Sequence, residues 1–173
     1  MSDNISVLKK PLNGYIIEKV FRSLESTKNL FLGVYARGYY PPKIGSTPSF
    51  YILNTDYLDN NRGIHWILIF HEKERIYFFD PFGLSPTSIY NFPFLVEENG
   101  KVLTRNTQCI QNYSAETCGY FCLFVGIYLA KGQQTLHQIL KRYFIKDTET
   151  FYNDWLVYFF IKNIIWGTMQ INI

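Results

Sequence analysis

From Cys118 to Ala130 the chain reads CGYFCLFVGIYLA, without one charged residue, before Lys131 and Gly132 interrupt it. Such a run is too long for an ordinary buried strand and apolar on every side, so it predicts a helix enclosed by protein and ending at Gly132. A chain of 173 residues with 47% hydrophobic content can supply that enclosure. It has the usual size of one domain, so residues 1–173 are read as a single unit. Only 18% of residues are charged and as many are aromatic, which excludes a disordered chain.

The remaining elements follow from periodicity and punctuation. Asn13 can cap a helix over Gly14–Ser26, where Ile16, Ile17, Val20, Phe21 and Leu24 recur at helical spacing. Gly38, Pro41, Pro42, Gly45 and Pro48 make Arg37–Ser49 a loop, and a strand is expected at Ser49–Thr55. IHWILIF (Ile64–Phe70) and RIYFFD (Arg75–Asp80), joined by HEKE, predict a β-hairpin. Ser85–Asn99 reads as a short helix plus loop, and Lys101–Ile110 as a further strand. Two more helices are expected at Leu136–Phe144 and Thr150–Ile165. A helix, then strands, then helices is an α+β order, with a central, mostly antiparallel sheet flanked by helices.

A net charge of +3 permits an acidic partner such as DNA without demanding one. No apolar run reaches the ~18 residues of a membrane span, and the first residues lack a secretory signal's apolar core, so a soluble intracellular protein is expected. Three cysteines do not make a disulfide framework, which leaves a thiol available for chemistry. With no C-x2-C pair, no metal site is expected.

Catalysis through a thiol needs a thiolate, a base, an orienter for that base and donors for an oxyanion. Cys118 stands where the polar loop QNYSAET meets the apolar helix, and a helix N-terminus favours thiolate. Gly119 beside it is expected to leave room for a substrate backbone. His65 lies in one strand of the hairpin and Asp80 closes the other, so pairing of the strands would make them neighbours. Asp80 also has a simpler reading, as the turn initiator before Pro81. Gln111, seven residues before Cys118, can bring an amide donor to an oxyanion, with Asn112 as its competitor. Trp66 is expected to line the cleft as well as the core. Cys122 reads as core, Cys109 as a partly buried strand residue, and His71 and His137 as solvated.

The ordered set GIHW, FDPFG and Q-x6-CGYFC resembles the adenovirus protease (adenain) family, within the clan of ubiquitin-like-protein proteases. FLGVY at Phe31–Tyr35 and ILNT at Ile52–Thr55 extend the likeness, which covers Phe31–Tyr128 and not the segment beyond. The resemblance implies a papain-like, adenain-like fold and a thiol endopeptidase. In it Cys118 would be nucleophile, His65 base and Gln111 part of the oxyanion hole, with Asp80 where the adenoviral enzymes carry glutamate. Trp66 matches the family's His-Trp pair, and the spacing of Gln111 from Cys118 is like the adenoviral branch. Adenoviral members are stimulated by DNA and by a peptide that forms a disulfide. The cysteine used for that disulfide would fall at Gly100 here, and Cys109 is out of register, so a covalent peptide activator is not expected. The chemistry itself requires no cofactor. The adenain-like motifs in so aromatic-rich a chain resemble maturation proteases of virophages and Polinton-type (Maverick) elements. The substrates so implied are capsid or other virion precursor proteins, cut at small glycine-containing sites. The setting so implied is the virus factory of an infected cell and the virion itself. Two alternatives stay open: an isopeptidase acting on ubiquitin-like modifiers, and an inactive, protease-derived binding module.

Overall fold

The charge-free run is a helix over Cys118–Ala130, and eleven of its thirteen residues are buried. This computed structural model describes residues 5–41, 48–56, 65–88, 90, 92 and 101–169, with the side chains of 168 and 169 left out. A short 3-10 turn, Ile5–Lys9, precedes helix α1 at Gly14–Ser23. Strands β1 (Phe31–Tyr35), β2 (Ser49–Asn54), β3 (Trp66–His71), β4 (Arg75–Phe79) and β5 (Val102–Arg105) follow. The apolar helix is then α2, with α3 at Leu136–Tyr143 and α4 at Tyr152–Met169 behind it.

The five strands form one sheet in chain order. The antiparallel pairing expected for the sheet is confined to its centre, β2 with β3 and β3 with β4. The two outer pairings, β1 with β2 and β4 with β5, are parallel. Every residue of β3 is buried, because both faces of the sheet are covered. Trp66, Leu68 and Phe70 face the large core that includes α1, α2 and α4. Ile67 and Ile69 turn to a smaller cluster with Tyr51, Phe78, Tyr90 and Phe92. α1 comes close to α2 at Gly126, where a Cβ would lie 2.8 Å from the Phe21 ring.

Local chemistry accounts for most boundaries. The Asn13 side chain accepts from the Ile16 N–H at 2.9 Å and starts α1 as expected. α1 stops at Ser23, three residues early, because Leu24 is already extended. Thr135 and Gln138 cap α3 reciprocally. α4 starts two residues later than expected and runs four beyond Ile165. β1 was not among the expected strands: Gly33 breaks the alternation, and the pairing register shifts between Phe31 and Gly33. β5 ends at Arg105, well short of Ile110, because the next residue, Asn106, turns its side chain to the backbone of Asp80, just past the end of β4. Most of Ser85–Asn99, with Gly63, Ile64 and Gly100, lies outside the described residues. Among the described residues no helix is long and apolar enough to cross a membrane.

His71 corrects an expectation. It is 1% exposed at the end of β3 and its ring stacks on Tyr51, 5.9 Å between centroids. Burial, reinforced by the Lys101 charge, lowers its pKa to about 4. Period-2 alternation decided this, since position 71 shares the inward face of Ile67 and Ile69.

Candidate active site

The β3–β4 register pairs Leu68 with Phe79. One step further, Asp80 stands opposite Ile67, and His65 becomes its diagonal neighbour. The side chains meet: His65 Nε2 is 2.8 Å from Asp80 Oδ1, and both residues are buried. Asp80 is held by more than the hairpin. Its N–H donates to Asn106 Oδ1 at 3.0 Å, and Asn106 Nδ2 donates back to its carbonyl at 2.5 Å. The Phe82 N–H donates to Asp80 Oδ1 at 2.8 Å, and the Tyr90 hydroxyl to Oδ2 at 2.6 Å. Asp80 therefore both starts a turn and orients a histidine; the two readings coexist.

Gly83 closes that turn at φ +70°, with its N–H on the Asp80 carbonyl at 2.8 Å. A Cβ there would lie 2.7 Å from the Gln108 backbone, so only glycine lets the turn dock on the 107–108 segment. The Phe82 ring covers the imidazole at 4.8 Å, nearly parallel, and exposed Tyr113 stacks outside Phe82 at 5.6 Å.

Cys118 is the first residue of α2 and is 6% exposed. Its predecessor Thr117 does not cap the helix with its side chain; that hydroxyl donates to Asp154 Oδ1. No acidic residue of α2 itself lies in its first turn, so the helix's own sequence leaves the partial positive charge of its N-terminus beside the thiol. Asp154, from α4, also accepts from the Asn112 N–H at 3.1 Å. One buried carboxylate thereby organises the loop that leads to Cys118. Burial raises the Asp154 pKa, and the Thr117 and Asn112 hydrogen bonds oppose the rise.

With Nε2 committed to Asp80, the buried Nδ1 has no hydrogen-bond partner among the described residues, and Cys118 is near enough to act on the imidazole electrostatically. Burial by itself lowers the His65 pKa, but the Asp80 hydrogen bond, then Cys118, then the charges of both outweigh it and raise the value to about 9. A protonated imidazole beside a cysteine is the form of histidine that favours thiolate chemistry.

Gln111 is buried, and its N–H, like that of Ile110, reaches the Pro81 carbonyl, which ties this loop to the Asp80 turn. Its Nε2 donates to the Ala115 carbonyl at 2.7 Å, leaving the second N–H of the amide for another acceptor. Asn112, the competitor, is spent on bracing: its amide donates to the Thr148 and Glu149 carbonyls and accepts from the Ser114 N–H.

Two expectations change. A Cβ on Gly119 would meet Leu12, Ile17 and Trp66 at 3.1 to 3.3 Å, so the space beside this glycine is filled by the protein and not left for a substrate. Trp66 is 8% exposed, and its indole N–H donates to the Leu12 carbonyl at 2.8 Å, so it anchors the N-terminal segment instead of presenting a face to a cleft. Cys122 is core, its thiol donating to the Trp66 carbonyl at 3.3 Å, with burial pushing its pKa well up. Cys109 is half-buried but in a loop, 3.3 Å from the Gln111 carbonyl. His137 is exposed as expected.

Tyr90, Asn106, Phe82 and Asp154 escaped the sequence reading. Asp154 gave the one usable signal, an acidic residue in the first turn of an otherwise apolar helix. Among the described residues no three His, Cys, Asp or Glu side chains converge as a metal site would need.

The sequence profile of the adenovirus endoprotease family matches residues 31–148, which contain His65, Asp80, Gln111 and Cys118 and extend past Tyr128, where the motif resemblance ends. The protease of Ovine adenovirus D serotype 7 (isolate OAV287) is 34% identical over 76 residues, covering 36% of this chain. That match spans 38% of the ovine protein's length. The crystal structure of the ASFV pS273R protease shares the fold, with a TM-score of 0.50 and 17% identity over 85% of this chain and 66% of that one. The SUMO protease Ulp1 gives a weaker overlay, with a TM-score of 0.48 and 14% identity over 95% of this chain and 88% of that one. The profile match takes in most of the chain, and the chain therefore belongs to the adenovirus endoprotease family.

Proposed function

We propose that this protein is a cysteine endopeptidase of virus maturation, with Cys118 as nucleophile. The observation that carries the proposal is the buried His65–Asp80 pair, 2.8 Å apart, acting on a cysteine at the first position of an enclosed helix. Asp80 holds the imidazole so that its other nitrogen serves the thiol. The thiolate attacks the scissile carbonyl, and the backbone N–H of Cys118 with the spare N–H of Gln111 receives the oxyanion. His65 then gives its proton to the leaving amine, and water, activated by the now neutral imidazole, hydrolyses the thioester.

Membership of a viral endoprotease family supports the further reading that the substrates are capsid or other virion precursor proteins, cut at small glycine-containing sites. The same membership supports an infected host cell as the setting and packaging in the virion. No cofactor enters this mechanism. Co-expression with a virion precursor tests the proposal: mature N-termini should form with the wild type and not with Cys118→Ala, which should keep the wild-type melting temperature. Cleavage persisting in that variant would refute it.

A further inference from the structure

The hydrogen bonds on Asp80 divide into two sets with different consequences. Asn106 holds only the backbone, through the Asp80 N–H and carbonyl, and leaves the side-chain torsion free. The terminal torsion of an aspartate is broad and roughly two-fold, so a carboxylate without further partners does not present one oxygen in one direction. Here Oδ1 receives His65 Nε2 and the Phe82 N–H, both at 2.8 Å. Oδ2 accepts from the hydroxyl of Tyr90, at 2.6 Å. That is the short range of a hydroxyl donating to a charged oxygen, the stronger class of hydrogen bond.

Tyr90 is itself built in. It is 7% exposed, its ring stacks on Phe92 at 5.5 Å, and it lies 6.4 Å from Phe78. Arg37 Nη2, 53 residues earlier in the chain, donates to its carbonyl at 2.7 Å. The ring would fill that pocket equally well as phenylalanine; the hydroxyl is the part that packing does not need. Burial and the neighbouring carboxylate raise the Tyr90 pKa, so the group remains a donor across the working pH range.

We propose that Tyr90 is a positioning residue for the reaction: by occupying Oδ2 it locks the rotation of the Asp80 carboxylate, which keeps Oδ1 on His65 Nε2 and the imidazole aimed at Cys118. The inference rests on the cysteine-endopeptidase reading of the same site. Tyr90 touches neither substrate nor thiol and acts only through Asp80. Without it the carboxylate is held through Oδ1 alone, by His65 and the Phe82 N–H, and the support that it gives the histidine loosens.

Tyr90→Phe tests this, because it removes the hydroxyl and keeps the ring. We expect kcat to fall about 10- to 100-fold, the equivalent of one charge-assisted hydrogen bond, with KM little changed. The His65 pKa, followed by NMR titration of the imidazole, should drop from about 9 toward its ordinary value. In an Asp80→Ala background the same substitution should have no further effect on kcat. Wild-type kcat and an unmoved His65 titration in Tyr90→Phe would overturn the proposal. So would an equal loss with and without Asp80, or a variant that no longer melts cooperatively, since each would make Tyr90 a packing residue. The titration needs no substrate, so it reads the coupling even if the protease assignment fails. Conversely, wild-type cleavage that depends on Cys118 but not on the Tyr90 hydroxyl would sink this inference alone.

Discussion

Asp80→Asn is the substitution on which the site's electrostatics can be weighed. The His65 pKa of about 9 in the folded protein, against 6.5 for an ordinary histidine, means that the folded state holds this proton more tightly than the unfolded chain does. At about 1.4 kcal/mol per pH unit, the imidazolium contributes about 3 kcal/mol to stability. With the side chain only 6% exposed, solvent screening takes little from that figure. The sign is that of a raised base: the contribution is complete below pH 6.5 and is lost as the pH rises through about 9. The Asp80 hydrogen bond is the largest of the influences that raise this pKa, and burial alone would lower it. Asp80→Asn should therefore flatten the decline. The assay is urea unfolding at half-unit pH steps from 6 to 10, with the wild-type and variant curves subtracted to remove other titrating groups. Cleavage by the wild type should persist to an alkaline limb near pH 9, and the variant's limb should move down, with activity reduced about 10²- to 10⁴-fold. A subtracted curve with no slope between pH 6.5 and 9 would refute the reasoning, because it would show that Asp80 and His65 share no proton-linked energy.

Asn106→Ala should cost about 3 kcal/mol in urea unfolding, since it strips partners from both the N–H and the carbonyl of a fully buried residue. Wild-type stability would show that water replaces the asparagine. Gln111→Ala should lower kcat about 10²- to 10³-fold with KM unchanged, as loss of an oxyanion donor does. A change confined to KM would place Gln111 in substrate binding instead.

Residues governed by local pattern were legible in the sequence. The hairpin, the capped α1 and the buried α2 each carry their own periodicity, and Cys118 was singled out because a loop meets an apolar helix there. His65 and Asp80 could be neighbours by the hairpin, since antiparallel pairing of two recognisable runs brings their outer ends together, but the joint GIHW, FDPFG and Q-x6-CGYFC pattern was needed to single them out. Where a residue's partner is remote in sequence, the reading faltered. β5 was drawn too long because nothing in KVLTRNTQCI says that Asn106 will leave the ladder to serve Asp80, 26 positions earlier. Gly119 and Trp66 were given to the substrate because their neighbour is Cys118 or His65, whereas Leu12, distant in the chain, claims both. His71 was misplaced for another reason: charged neighbours in HEKE outweighed its strand parity.

The sequence by itself determined which side chains could do chemistry and that one thiol would stand at a helix start, because charge, apolar periodicity and capping act over a few residues. Only the tertiary structure decided what surrounds that thiol. The parallel outer strands, the Asp154 brace beneath Cys118, the Asn106 clamp and the Tyr90 hydroxyl on Asp80 join segments far apart in the chain. Their partners are chosen by packing of the sheet against α2, and a buried polar group must then bond to whatever the fold has brought within reach.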